Sequence, residues 1–143
     1  MKYEPIDPAI LHAYWPKVRP GLERIKEKGC VHWIPEDVYA HLRFKLATLY
    51  IASGERDGFF VLERNNCSFS GGLVVNVWAL YAEPRVGEHF ADVSEFVGNA
   101  VSFIDGVAKG LGAKRVTCDG RGGWEKVLKD YFRPTLVHYE RSL

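Results

Sequence analysis

The sequence predicts an α/β (α+β) fold: a mixed central sheet with N-terminal helices, an antiparallel meander, a long crossover helix, a strand, a short helix and a strand. Three observations predict it. Residues 45–52, 58–64 and 71–81 are β-rich runs joined by short polar turns. Residues 92–111 carry apolar side chains at helical spacing and lead straight into another β-rich run, 114–119. The last thirty residues then alternate strand, helix and strand.

Taken in order, Asp7 is placed to cap a helix starting at Pro8, whose fixed φ suits a first turn. Pro16 and Pro20 lack amide donors, so residues 8–28 predict two short helices, the second over 20–28 with Leu22 and Ile25 inward and Gly29 as its stop. Pro35 opens a third helix with Glu36 and Asp37 at its positive end and Val38 and Leu42 on one face. The segment Ser53-Gly54-Glu55-Arg56-Asp57 is a hairpin signal between the first two strands. Asn65-Asn66-Cys67-Ser68 turns the chain into 71–81, where Leu73, Val74, Val75, Val77, Trp78 and Leu80 are apolar on both faces and predict an interior strand.

Asp92-Val93-Ser94-Glu95 starts the main helix, with Phe96, Ala100, Phe103, Ile104, Val107 and Leu111 on its apolar side and Gly112 at its end. Gly98, Gly106 and Gly110 each weaken an isolated helix by about 1 kcal/mol relative to Ala, which predicts close packing of this helix on the sheet. A crossover of that length requires strand 114–119 to lie parallel to 71–81. Residues 121–131 then predict a short helix and 135–142 a closing strand, with Trp124 and Phe103 sharing one core with Val75 or Val77.

Composition removes several function classes. There are 19 Lys and Arg against 18 Asp and Glu, a net charge of +1, so there is no field to hold a nucleic-acid backbone. No run approaches the roughly 18 apolar residues of a membrane helix, and the N-terminus lacks the basic-then-apolar plan of a signal peptide. A cytoplasmic protein without a membrane partner is expected. Cys30, Cys67 and Cys118 are odd in number and unpaired in spacing, and His12, His32, His41, His89 and His138 show no zinc-ligand spacing, so neither a disulfide framework nor a metal is expected.

A few residues carry chemistry. Asp119 ends a strand, where a carboxylate serves either as a base facing a cleft or as the cap of the next helix. Arg121 heads that helix, an unfavourable place for a cation unless it pairs with Asp119 or an anion. Trp78 and Trp124 are either core anchors or walls of a channel. Asn76, polar in mid-strand, needs a partner across the sheet or a cleft to face. Gly120-Arg121-Gly122-Gly123 has neither Walker nor dinucleotide spacing, and no nucleophilic triad is visible.

The element order, with Glu36-Asp37-Val38-Tyr39 early and Gly120-Arg121-Gly122-Gly123-Trp124 late, resembles the GNAT acyltransferase superfamily with its first strand weak or missing. The likeness covers residues 8–143 and is nearest in pattern to small GNAT-like proteins of tailed phages and prophages. It implies one GNAT-like domain over 1–143, with acetyl-coenzyme A near the place where two C-terminal strands splay apart. By the same resemblance the backbone of Val77, Trp78, Ala79 and Leu80 is the pantetheine edge. The turn Arg85, Val86, Gly87 and Glu88, before the long helix, is the pyrophosphate site, by the general affinity of helix N-termini for anions. Here that turn is one residue short, and Glu88 and Asp92 bring negative charge; an ordinary loop with Asp92 or Ser94 as helix cap is the other reading. The family's proton-donating Tyr position falls on Val127, leaving Asp119 or Tyr131 as catalytic candidates, with core packing as the alternative for Tyr131. A small-molecule or protein amine acceptor would enter near Tyr39 and His41. The phage likeness implies a second function class, a catalytically inactive virion or host-interaction module with a phage or host protein as partner.

Overall fold

Hydrophobic side chains on both faces of a single mixed sheet organise the molecule. The computed structural model describes residues 1–29, 31–66, 71–120, 124–136 and 139–143, and the backbone alone of Phe90. Strands β1 (Lys2–Pro5), β2 (Ala47–Ser53), β3 (Gly58–Asn66), β4 (Leu73–Ala82) and β5 (Arg115–Cys118) lie side by side in chain order. The first four are antiparallel, and β5 runs parallel to β4. A 3-10 turn over Pro8–Ile10, capped by Asp7, and helices α1 (Leu11–Lys28), α2 (Pro35–Arg43), α3 (Phe90–Gly110) and the short α4 (Glu125–Leu128) complete the order. The α/β (α+β) class and the parallel β4–β5 pair are as expected, and α3 is the crossover that makes the pair possible.

Strand alternation sorts the core. Leu49, Phe59 and Val61 face α1 and α2, where Leu11, Val18, Leu22, Val38 and Leu42 meet them. Phe60, Leu62, Val75 and Val77 face the other way, onto Ala100, Ile104 and Ala108 of α3. The register Tyr50↔Phe60 stacks those two rings at 5.1 Å. Both faces are therefore dry, as a near-continuous apolar strand such as β4 requires. Among the described residues no helix is long and apolar enough to cross a membrane.

Five expectations need correction. Pro16 and Pro20 lie inside one continuous helix, because both are on its exposed face, where the carbonyls they leave without donors meet water. The first strand is present: Lys2–Pro5 pairs with β2, although Tyr3 is its only half-buried side chain and little in its sequence advertises it. Gly106 and Gly110 do not pack on the sheet, since a Cβ at either would meet nothing within 4 Å; small Ala100 and Ala108 make the close contact instead. Trp124 is half-buried against Phe96, Val97 and Val127, in a cluster separate from that of Phe103 with Val75 and Val77. The closing strand is missing among the described residues of 135–142, which run exposed without a sheet partner. The expected helix over 121–131 is ordered as α4 over Glu125–Leu128, and Arg121, Gly122 and Gly123 lie outside the described residues, as do Cys30, Cys67 and His138.

Candidate functional site

β4 changes its hydrogen-bonding direction halfway along, where its pairing with β5 stops. At one end, Leu73 O accepts from Lys114 N at 2.9 Å, so Leu73 points its backbone toward the β5 side. At the other end, Glu83 N donates to Asp57 O at 2.9 Å, toward β3. Strict alternation would send these two odd-numbered residues the same way. The discrepancy is absorbed by a β-bulge: Leu62 pairs with Val77 and Val61 with Ala79, leaving Trp78 as the extra residue. Side chains follow the shift, since Val75 and Val77 face α3 whereas Trp78, Ala79 and Tyr81 face the α1–α2 layer.

The bulge sits where β5 lets go. The parallel ladder ends at Val77↔Cys118, yet β4 continues to Ala82. Beyond the bulge, alternation back from Glu83 turns Ala79 and Tyr81 toward β3 and leaves Leu80 and Ala82 with their N–H and C=O directed into the gap. Just before the gap, Thr117 Oγ1 donates to Asn76 Oδ1 at 3.0 Å, and Asn76 Nδ2 donates to Glu63 Oε1 at 2.7 Å. Asn76 thus bonds across three strands and pins β5 to β4 up to the last paired residue.

On the α1–α2 face of β4 the surroundings of Trp78 are aromatic. Trp78 meets His41 edge-on at 4.9 Å and Trp33 at 6.2 Å. Tyr39 lies on the other flank of α2, against Trp15 at 4.9 Å, in a cavity of about 270 Å³ shared with His12, Pro16, Arg19 and Glu36. The two residues expected at the acceptor entrance are therefore separated, and His41 is the one that reaches β4. Tyr81, farther along β4, accepts a hydrogen bond from Arg24 Nη1 at 2.7 Å; burial, with Glu83 adding to it, raises its phenol above the usual range.

Cys118 and Asp119 lie where β5 leaves β4. Burial, reinforced by the Asp119 carboxylate, pushes the Cys118 thiol up to about 11, so it stays protonated at neutral pH and is a poor nucleophile. Asp119 is exposed and directly follows the last paired residue of β5. Tyr131 is elsewhere. Its hydroxyl donates to Ser94 O at 3.4 Å, and its ring lies so close over Gly98 that a Cβ there would be 2.5 Å from the hydroxyl oxygen. It lines a cavity of about 320 Å³ with Val101, Asp105, Lys109 and Phe132, among others, beside α3.

The turn between β4 and α3 runs from 83 to 89. Arg85 and Val86 are exposed, and Gly87 takes φ +71, a left-handed value that a side chain would resist. Helix α3 starts two residues earlier than the sequence suggested. Asp92 stands at its third position, where its carboxylate accepts from His89 N at 3.1 Å. The amides of Phe90 and Ala91, in the first turn, have no intrahelical acceptor. Glu88 does not present a free charge to this turn, contrary to expectation: its carboxylate meets Arg56 Nη1, and the two atoms are closed off from solvent. Sequence reasoning missed Arg56 because a charged residue in a hairpin turn is ordinarily solvated. Among the described residues no cluster of His, Cys, Asp and Glu is arranged to hold a metal.

No protein-family model matches the sequence, and no curated protein matches it. Solved structures do. A predicted acetyltransferase with acetyl-CoA from Clostridium acetobutylicum is 14% identical with a TM-score of 0.67, covering 99% of this chain and 95% of its own. A ribosomal-protein-alanine N-acetyltransferase from Brucella melitensis is 12% identical with a TM-score of 0.64, over 100% of both chains. An aminoglycoside acetyltransferase from an uncultured soil metagenomic sample, in complex with sisomicin, is 13% identical with a TM-score of 0.64, over 99% and 95%. At these identities the likeness speaks for the fold. With its bulged, splayed β4 and helix-capped turn, this chain has the GNAT acetyltransferase fold.

Proposed function

We propose that the chain is an N-acyltransferase that moves an acetyl group from acetyl-coenzyme A to an amine. The observation that carries the reading is the edge of β4 left unpaired among the described residues, where strand pairing stops at Val77↔Cys118 while the strand runs on to Ala82. An extended chain of amides such as pantetheine can add to that edge as a further strand would. The residues present fit such a ligand. Leu80 and Ala82 offer backbone donors and acceptors, and Val77 marks the inner end of the gap beside Trp78 and Ala79. The turn from Arg85 through Val86, Gly87 and Glu88 leads into the unpaired amides of α3, which favour a pyrophosphate. Acetyl-coenzyme A would supply an activated thioester, whose carbon–sulfur bond breaks as the amide bond forms and releases coenzyme A as its thiol.

The protein's own part is positioning and proton handling. Backbone N–H groups on the open edge polarise the carbonyl under attack. Asp119, where β5 ends, accepts a proton from the acceptor ammonium and so frees the neutral amine to attack, and His41 on α2 orients that amine. Tyr131, with its hydroxyl turned to Ser94 O, serves packing of the last segment against α3. Direct transfer is favoured over a cysteine acyl-enzyme because Cys118 is held as a neutral thiol. The structural neighbours that act on a ribosomal-protein alanine and on an aminoglycoside support an amine acceptor, small molecule or protein.

The test is a thermal-shift and calorimetric titration with acetyl-coenzyme A, followed by thiol release on adding primary amines. Ligand at 100 times its Kd should stabilise the protein by about 2.7 kcal/mol. Absence of any shift at millimolar ligand would overturn the reading and leave an inactive interaction module as the function.

A further inference from the structure

Arg56 is 6% exposed and is the one charged side chain buried outright among the described residues. It belongs to the hairpin turn between β2 and β3, yet among the described residues its side chain reaches the β4–α3 connection and α3 itself. Nε donates to Glu83 O at 3.1 Å, at the start of the turn. Nη1 meets the Glu88 carboxylate at its end. The guanidinium carbon lies 5.6 Å from the ring centroid of Phe96, in the second turn of α3. The neighbouring backbone bond from Glu83 N to Asp57 O, 2.9 Å, ties the same two loops together.

We infer that Arg56 is a positioning residue for the phosphate turn: it holds both ends of residues 83–88 against α3 and cancels the charge of Glu88, so that the turn accepts an anion. The planar fork explains why arginine is suited to the place. Nε bonds Glu83 O while Nη1 lies against the Glu88 carboxylate, and a lysine ammonium, a single point charge, cannot serve both places at once. A well-packed apolar pair would hold the same space as stably, so burial of this ion pair is not needed for the fold. Without it, Glu88 would leave a negative charge beside the very amides that a pyrophosphate needs. The ligand half of this inference rests on the coenzyme A reading; the conformational half does not.

Two variants test it. In Arg56→Met/Glu88→Leu the pair is replaced by apolar groups, and in Arg56→Lys the charge stays but the fork is lost. Both are titrated with acetyl-coenzyme A and with S-acetylpantetheine, which lacks the phosphates. The double variant should keep its melting temperature and bind S-acetylpantetheine within twofold of wild type; because it removes the Glu88 charge together with Arg56, its loss of at least tenfold in acetyl-coenzyme A affinity reads the freed turn alone, with Arg56→Lys falling between. Hydrogen exchange without ligand supplies the second readout: amides 86–91 should exchange at least tenfold faster in Arg56→Lys, with β2 and β3 unchanged. Equal acetyl-coenzyme A affinity in both variants, or unchanged exchange of 86–91, overturns the inference. If wild type binds neither ligand while exchange does accelerate, the turn-holding role stands and the coenzyme A reading falls.

Discussion

Two Ala→Pro substitutions three residues apart on β4 should have opposite effects, because the bulge at Trp78 sets which amides face β3 and which face the gap. Ala79 is 4% exposed and directs its N–H toward β3. Proline there removes an interior ladder bond and leaves a buried carbonyl unpaired, worth about 1–3 kcal/mol. Crowding the ring into a filled core adds about another 1–3 kcal/mol. A total of about 2–6 kcal/mol is a large part of the 5–15 kcal/mol that typically holds a domain together. Ala82, by contrast, points its N–H into the gap, and the preceding Tyr81 is already extended, as proline requires. Ala82→Pro therefore loses no ladder bond and should stay within about 1 kcal/mol of wild type. Its effect should appear in binding: one lost hydrogen bond of about 0.5–1.5 kcal/mol weakens acetyl-coenzyme A roughly twofold to tenfold. Urea denaturation reads the first quantity and calorimetry the second. If Ala82→Pro proves the more destabilising of the two, the phase of β4 beyond the bulge is wrong, and with it the open edge.

Other consequences can be checked separately. Arg85→Ala should weaken acetyl-coenzyme A by about 1.5 kcal/mol, a little over tenfold, as the loss of a hydrogen bond to a charged group; calorimetry showing equal affinity would remove Arg85 from the phosphate turn. Asp119→Asn should lower kcat with little change in KM for acetyl-coenzyme A, whereas a rise in KM alone would make Asp119 a binding residue. Cys118, with its thiol raised from 9.0 to about 11, binds a proton more tightly when folded than when unfolded, so its contribution is full below pH 9 and is lost as pH climbs toward 11. The stability difference between wild type and Cys118→Ala should therefore shift against wild type across that window. At pH 8 iodoacetamide should label Cys118 far more slowly than an ordinary free thiol, because little of it is thiolate; labelling at the ordinary rate would contradict the raised thiol.

What could be learned from sequence was whatever local period and turn chemistry encode. The meander follows from residues 53–57 joining two β-rich runs, and α3 follows from Phe96, Ala100 and Ile104 at helical spacing. The parallel pairing of β4 and β5 follows in turn from the length of that helix. The segment carrying the candidate site, residues 77–88, was legible through family likeness, but its geometry was not. Trp78 became a bulge residue only when β3 and β4 met in a register that shifts between Val61 and Leu62, a relation between distant segments. The prolines of α1 are tolerated because their face is wet, and wetness depends on what else packs nearby. Residues 135–142 have strand composition, yet composition supplies no partner, and no described part of them is paired in the sheet. Arg56 shows the division most plainly. Alone in a hairpin turn it reads as a solvated charge; covered by Glu83, Glu88 and Phe96 it is desolvated and tied to one conformation. Sequence determines which groups each segment carries and how it curls, while tertiary packing decides which of them lose water, and a charge that loses water must be paired.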